Sequence, residues 1–435
     1  MPSIFARTAP ALLAIVTACA APPAADTAPL HPAQLVIPTP TKVVVGSAVW
    51  RIPDTLRIAA PDSATRWMAI RFGELSGRTV IPVANADSAS IAIDAGDDTS
   101  AESYRIAVTS AGIAVIAPGQ MGVRWAFETL RQLIPAGTDS LVAVTIDDAP
   151  RYPWRGAMLD VGRHTFPVAD ILRWIDLLAR YKLNVFHWHL TEDQGWRIAI
   201  EKYPRLTAIG GYRTEADGSR YGSFFTQDQV REVVAYAAAR GITVVPEIEM
   251  PGHSRAAIAA YPALSCTGET LPVPHTWGVF GDVLCPTEAT FAFLEDVLTE
   301  VLALFPSRYI HIGGDEVPKE RWRACTACQE IIRREQLADE HQLQRWFTAR
   351  IGRWLEERGR VLIGWDEILD GGLPAGATVQ AWQGSDRITA ALAAGAHYLD
   401  TTGEQDWATL VRDRYGEAFA GKGLVCSPGC SYMWT

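Results

Sequence analysis

The sequence predicts a (β/α)8 barrel preceded by a small α+β domain. Three observations carry this. The 435 residues are too many for one hydrophobic core, so two domains are expected. From Trp154 onward, short apolar runs alternate with amphipathic helical stretches, and repeated strand-then-helix units imply parallel strands. The distinctive polar residues of that half cluster where those runs end, on the rim where such barrels build their sites.

The chain opens with Arg7, an apolar stretch from Ala9 to Ala18 and an Ala/Pro-rich run to Pro29. This is the plan of an export signal, assigned to residues 1–18, with a linker over 19–32. Val16-Thr-Ala-Cys19 resembles the lipidation box of bacterial lipoproteins, so a lipidated Cys19 is expected to anchor an exported, periplasmic or outer-membrane protein. No other stretch is long and apolar enough to span a bilayer.

Residues 33–150 form the first domain. Strands are expected at Leu35–Ile37, Lys42–Val45, Leu56–Ile58, Ile91–Ile93, Tyr104–Val108 and Ile113–Ile116, with helices over Ser63–Leu75 and Gly122–Leu133. At Asp147-Asp-Ala-Pro-Arg-Tyr-Pro153 the texture changes, and residues 151–435 are assigned to the barrel. Its strands are expected at Arg155–Val161, Asn184–Leu190, Ile242–Glu249, Tyr309–Gly313, Val361–Trp365, Thr378–Trp382, Ala396–Leu399 and Leu424–Ser427. Helices fall between most of them, over Val168–Tyr181, Gln227–Arg240, Ala289–Phe305, Glu340–Arg358 and Gln405–Phe419.

A net charge of −10 with no basic block argues against a nucleic-acid partner. Fifteen Trp and twelve Tyr lean toward carbohydrate, because sugars present apolar C–H faces that lie on aromatic plates. Cys266 and Cys285 bracket a Gly/Pro-rich loop and are read as a disulfide staple. Cys325-Thr-Ala-Cys328 is a lone CxxC with no second CxxC or His pair at zinc spacing, so no metal site is assigned.

The fourth barrel strand ends in Gly313-Gly-Asp315-Glu316. The glycines let the backbone turn, so two adjacent acids can reach one pocket. Close carboxylates repel, which raises one pKa and keeps a proton available near neutral pH. That is equipment for cleaving a glycosidic bond. His187-x-His189 with His253 and His311 makes a metal-dependent hydrolase imaginable, whereas histidines hydrogen-bonded inside the barrel to orient the acids are the plainer reading.

Ile310-His-Ile-Gly-Gly-Asp-Glu316, His187-Trp-His-Leu-Thr-Glu-Asp-Gln-Gly-Trp-Arg197, Pro246-Glu-Ile-Glu-Met-Pro-Gly-His253 and Trp154-Arg-Gly-Ala-Met-Leu-Asp160 resemble the motifs of β-N-acetylhexosaminidases of glycoside hydrolase family 20. The likeness runs from about His31 to the last residue. It implies a retaining exo-glycosidase acting on terminal GlcNAc or GalNAc of chitin fragments or glycans, without metal or organic cofactor. The substrate's own acetamido oxygen would be the nucleophile. Glu316 would be the general acid, and Asp315 would hold the acetamido N–H. Arg155 would grip sugar hydroxyls, and Asp193 and His253 would back Glu316. Glu249 stands where the family often has Asp. Trp365 and Trp382 would wall the acetamido pocket, Tyr398 would bond the acetamido oxygen, and Asp400 a sugar hydroxyl. Trp434, in Gly429-Cys-Ser-Tyr-Met-Trp-Thr435, matches the strand-eight motif, in which a Glu usually follows. The barrel is therefore expected to stop after strand eight. A lacto-N-biosidase-like enzyme and an inactive carbohydrate-binding protein are the alternatives.

Overall fold

The computed structural model describes residues 31–60 and 62–400. Cys19, Trp434 and the expected elements Gln405–Phe419 and Leu424–Ser427 lie outside them.

The first domain is a mixed seven-stranded sheet in the order Lys42–Arg51, Ser140–Asp148, Tyr104–Val108, Ile113–Ala117, Ile91–Ala95, Thr55–Ala59 and Thr79–Val83. Helices Ser63–Ser76 and Gln120–Leu133 pack on it and on each other. The first helix begins where the Asp62 carboxylate accepts the Thr65 N–H at 2.7 Å and ends at Gly77, whose φ of 67° suits a left-handed cap. Two strands were not expected. Thr79–Val83 contains Pro82, but it is the outermost strand, where a missing N–H is tolerated. In Ser140–Asp148 the buried residues Leu141, Val144 and Ile146 break strict alternation beside a bulge in the neighbouring strand. The expected strand at Leu35–Ile37 is replaced by a 3-10 turn over Pro32–Leu35, because Pro32 supplies the fixed φ of a first helical residue and the His31 ring caps the Ala33 N–H at 3.1 Å.

The second domain supplies seven barrel strands, here called β1 (Gly156–Asp160), β2 (Val185–His189), β3 (Thr243–Glu247), β4 (Tyr309–His311), β5 (Val361–Trp365), β6 (Thr378–Ala381) and β7 (His397–Asp400). All pair in parallel and in sequence order. Helices Val168–Arg180, Gln227–Ala238, Glu288–Leu304, Glu340–Glu356 and Ser385–Ala393 lie between successive strands. Val168–Arg180 shows why they dock. It buries Ile171, Ile175, Leu178 and Ala179, one helical stripe. Each of its larger apolar side chains contributes about 1.5–3 kcal/mol.

Inside the barrel, alternation sends every second residue of a strand inward, and the interior is layered. Val185, Val245 and Ile363 form an apolar floor with Leu399, Trp154 and Tyr309. One step higher stand His187, Glu247, His311 and Trp365, none more than 4% exposed. Another step places His189 and Glu249 just below the rim.

Candidate active site

The rim centres on the turn after β4. Gly313 and Gly314 have φ of 68° and 90°, and Glu316 follows at 45°. Side chains are barred at both glycines. A Cβ on Gly313 would stand 1.6 Å from Glu249 Oε2, and one on Gly314 would stand 2.8 Å from Ile368 Cγ2. Gln344 Nε2 donates to the Gly314 carbonyl at 2.7 Å and pins the turn. The chain thereby delivers both acids to one side. The Asp315 side chain is 14% exposed and that of Glu316 37%.

His253 joins them. Its Nε2 lies 3.4 Å from Asp315 Oδ2 and 3.4 Å from Glu316 Oε2, and the three groups share a hollow less than 4.8 Å across. Its Nδ1 lies 2.7 Å from Glu192 Oε1 and 3.0 Å from Asp193 Oδ2. Asp193 Oδ1 accepts the Arg255 N–H at 2.9 Å, so the relay is fixed at its far end. Burial works against the charged imidazole, but Glu192 and Asp315 outweigh it and hold the His253 pKa well above the ordinary value. Burial likewise works against ionised Asp315, and His253 outweighs it, so this carboxyl is held below the usual range. The carboxyl that is pushed well up is Glu249, by burial and by the charges of Asp315 and Glu247.

Below the rim, Glu247 collects the barrel histidines. Its oxygens lie 2.8 Å from His187 Nε2, 2.9 Å from His311 Nδ1 and 3.4 Å from His189 Nδ1, and one accepts the Trp365 indole N–H at 2.8 Å. Burial opposes its charge, and the three imidazoles more than offset this, holding it well below the ordinary range. Burial pushes His187 down to about 4. Two nitrogen or oxygen ligands about 2.1 Å from a tetrahedral ion are roughly 3.4 Å apart. The 2.8 and 2.9 Å contacts are shorter than that, so His187 and His311 stand directly against the Glu247 carboxylate, and His311 Nδ1 also accepts the Gly313 N–H at 3.0 Å. Glu247 was given no role from sequence, although it lies two residues before Glu249 on the same inward face.

The tryptophans are held by acids. Trp365 is 4% exposed, so it can offer a ligand only an edge. Trp382 is half-buried and donates its indole N–H to Glu367 Oε2 at 3.1 Å, while its backbone N–H donates to Asp366. Burial, Asp315 and Asp366 push Glu367 up to about 8. On β7, Asp400 pairs with Ala381, beside Trp382, and Tyr398 pairs with Val379 deeper in the sheet.

Arg155 requires a correction. It precedes β1 and therefore sits at the opposite end of the barrel. There it donates to the Tyr152 and Lys182 carbonyls at 2.8 Å and pairs with Glu102 of the first domain at 2.5 Å. It lines a junction cavity of about 650 Å³ with Trp125 and Lys182. The arginine at the rim is Arg163, three residues past the end of β1. It meets Asp160 Oδ2 at 2.6 Å and Glu192 Oε2 at 3.2 Å, and its guanidinium lies 4.5 Å from the Trp277 ring centre. Its position after a strand end was the signal that could have found it.

Residues 33–149 match the family model for glycosyl hydrolase family 20, domain 2, and residues 152–408 match that for the family 20 catalytic domain. The chain is 48% identical to a beta-hexosaminidase of Porphyromonas gingivalis over 306 residues, 68% of this chain and 39% of that one. It superposes on the crystal structure of a beta-N-acetylhexosaminidase from Bacteroides fragilis with a TM-score of 0.75 at 35% identity, covering 84% of this chain and 75% of that one. A Vibrio harveyi exo beta-N-acetylglucosaminidase in complex with N-acetylglucosamine gives 0.76 at 31% identity, covering 86% of this chain and 61% of that one. The chain spans less than two thirds of the curated relatives it matches first.

Proposed function

The chain belongs to glycosyl hydrolase family 20, and we propose that it is an exo-acting β-N-acetylhexosaminidase, removing terminal non-reducing GlcNAc or GalNAc from chitooligosaccharides or glycans. The observation that carries this reading is the single imidazole nitrogen of His253, 3.4 Å from both Asp315 and Glu316. Two acids so close, on one turn, cannot stand on opposite faces of a sugar ring as acid and nucleophile. Family 20 is itself a standing exception to that two-carboxylate arrangement.

In this reading the acetamido oxygen attacks C1 as Glu316 gives its proton to the leaving oxygen. Asp315, kept anionic by His253, accepts the acetamido N–H and stabilises the cationic ring that forms. Glu316 then takes a proton from water, which opens the ring from the same face and so retains configuration. Trp382 and the edge of Trp365 wall the acetamido pocket, and Trp434 belongs to the substrate-binding set. Tyr398 bonds the acetamido oxygen and Asp400 a hydroxyl. The hydroxyl grip given to Arg155 passes to Arg163, which Asp160 and Glu192 hold at the rim. The Val16-Thr-Ala-Cys19 box supports export and lipid attachment at Cys19. Among the described residues no helix is long and apolar enough to cross a membrane.

The test is turnover of aryl N-acetyl-β-glucosaminides. Glu316→Gln should lower kcat about 10²- to 10⁴-fold on a poor leaving group and much less on dinitrophenolate, which needs no proton. Equal losses on both would remove Glu316 from the acid role. Release of a disaccharide, or tight sugar binding without turnover in the parent protein, would favour the alternatives.

A further inference from the structure

Away from the catalytic hollow, four cysteines converge. Cys266 and Cys285 stand at the two ends of one loop. Cys325 and Cys328 open the helix Thr326–Arg334, which follows Asp315-Glu316 by a few residues. All four are free thiols, so the staple expected between Cys266 and Cys285 is not formed. The Sγ separations are 3.6 Å for Cys266–Cys328, 3.6 Å for Cys285–Cys328 and 3.8 Å for Cys285–Cys325, and all four sulfurs lie within 4.8 Å of one another.

These lengths have a meaning. Four sulfurs about 2.3 Å from one tetrahedral zinc ion are roughly 3.8 Å apart. Disulfides would instead sort the sulfurs into two pairs at about 2.05 Å. Here Cys285 and Cys328 each have two near partners, which no sorting into pairs allows, and all four sulfurs lie within 4.8 Å, close enough to surround one ion. The surroundings suit a closed structural centre. Cys285 and Cys328 are buried beside Val283, Val317, Trp322 and Leu343. Sequence spacing alone dismisses the CxxC because its partners are not a second CxxC. They are single cysteines brought together when the loop closes on itself.

We propose that Cys266, Cys285, Cys325 and Cys328 bind one zinc ion as thiolates, releasing their four protons to solvent, and that this centre clamps the base of the loop 267–284. All four positions are taken by protein, so the ion is structural. The loop tip reaches the rim: the Thr276 carbonyl accepts from Gln194 Nε2 at 3.1 Å, and Trp277 covers Arg163. The opposite side of the clamp carries the helices that continue from the catalytic turn. The centre therefore positions Trp277 and Arg163 for substrate and takes no part in bond cleavage.

The experiment is elemental analysis and zinc-edge X-ray absorption on the full chain, purified without chelator. The expected result is about one zinc per chain, with four sulfur neighbours near 2.3 Å. Cys325→Ser and Cys266→Ser should each lower zinc content, and where they fold they should raise KM more than they lower kcat. If neither variant folds, the parent protein decides alone. A parent chain without stoichiometric zinc, disulfides mapped among these four cysteines, or zinc with nitrogen and oxygen neighbours overturns the proposal. So does zinc retained in full by both variants.

Discussion

Replacing Arg163 and Arg155 in parallel separates the two ends of the barrel. Arg163 is held by Asp160 and Glu192 with its side chain 20% exposed, so a sugar hydroxyl bonded to it would be largely shielded from water. A hydrogen bond to a charged group contributes about 1.5–3 kcal/mol, so Arg163→Ala should cost roughly 10- to 150-fold in kcat/KM. Most of the loss should fall on KM if the bond is present in the ground state as well as the transition state. Arg155 instead joins the domains through Glu102 and two carbonyls. Arg155→Ala should leave kcat/KM within about threefold but destabilise the fold by a similar 1.5–3 kcal/mol. Steady-state kinetics with an aryl N-acetylglucosaminide and urea unfolding of both variants make the comparison. The placement fails if Arg155→Ala loses turnover at unchanged stability while Arg163→Ala keeps it.

Gly313→Ala should cost about 1–2 kcal/mol for its left-handed backbone alone, and the clash with Glu249 should displace the acids and lower kcat at least tenfold. Gly376→Ala has a similar φ of 74° and open space around it, so in the same assays it should show only the backbone cost. Because the His253 pKa is raised, its stabilisation is complete below about pH 6.5 and is lost as pH rises through the folded value. Asp315 is lowered, so its share is present above about pH 3.9 and lost as pH falls through its folded value. Urea midpoints against pH should therefore converge for parent and His253→Gln on the alkaline side, and a gap independent of pH would contradict this. Glu249→Gln, which imitates a protonated carboxyl, should keep kcat within about tenfold, whereas Glu247→Gln strips three imidazoles of their anion and should destabilise by about 3–5 kcal/mol in urea unfolding.

The parallel strands were legible because most are β-rich runs followed by a helical stripe, and the barrel rule then located the rim. The same rule applied strictly would have rejected Arg155, which precedes β1, and chosen Arg163, which follows it. What sequence could not carry was distance. His253 meets Asp193 across sixty residues only because β2 and β3 pair in parallel and end together. The thiol cluster needs a loop to close before its members are neighbours. Pro82 shows the limit of local rules: a residue that argues against a strand is admitted where the strand lies at an edge.

The layered interior also explains why the catalytic turn is so constrained. Four acids, Glu192, Glu247, Glu249 and Asp315, stand in one low-dielectric column with four buried histidines, His187, His189, His253 and His311, between them. Burying each charge alone would cost several kcal/mol, so the column is stable only with its protons shared out. Glu247 is ionised against imidazoles, Glu249 is pushed toward its neutral form, and Asp315 is ionised against His253. With Glu249, beneath Gly313, pushed toward its neutral form, Asp315 is a carboxylate of the column held toward its anion at the hollow itself. A cation forming in that hollow then meets a field oriented before substrate arrives, which is the condition for electrostatic stabilisation without reorganisation. The glycines follow from the same requirement, since only a backbone without side chains can pass over Glu249 closely enough to set Asp315 there.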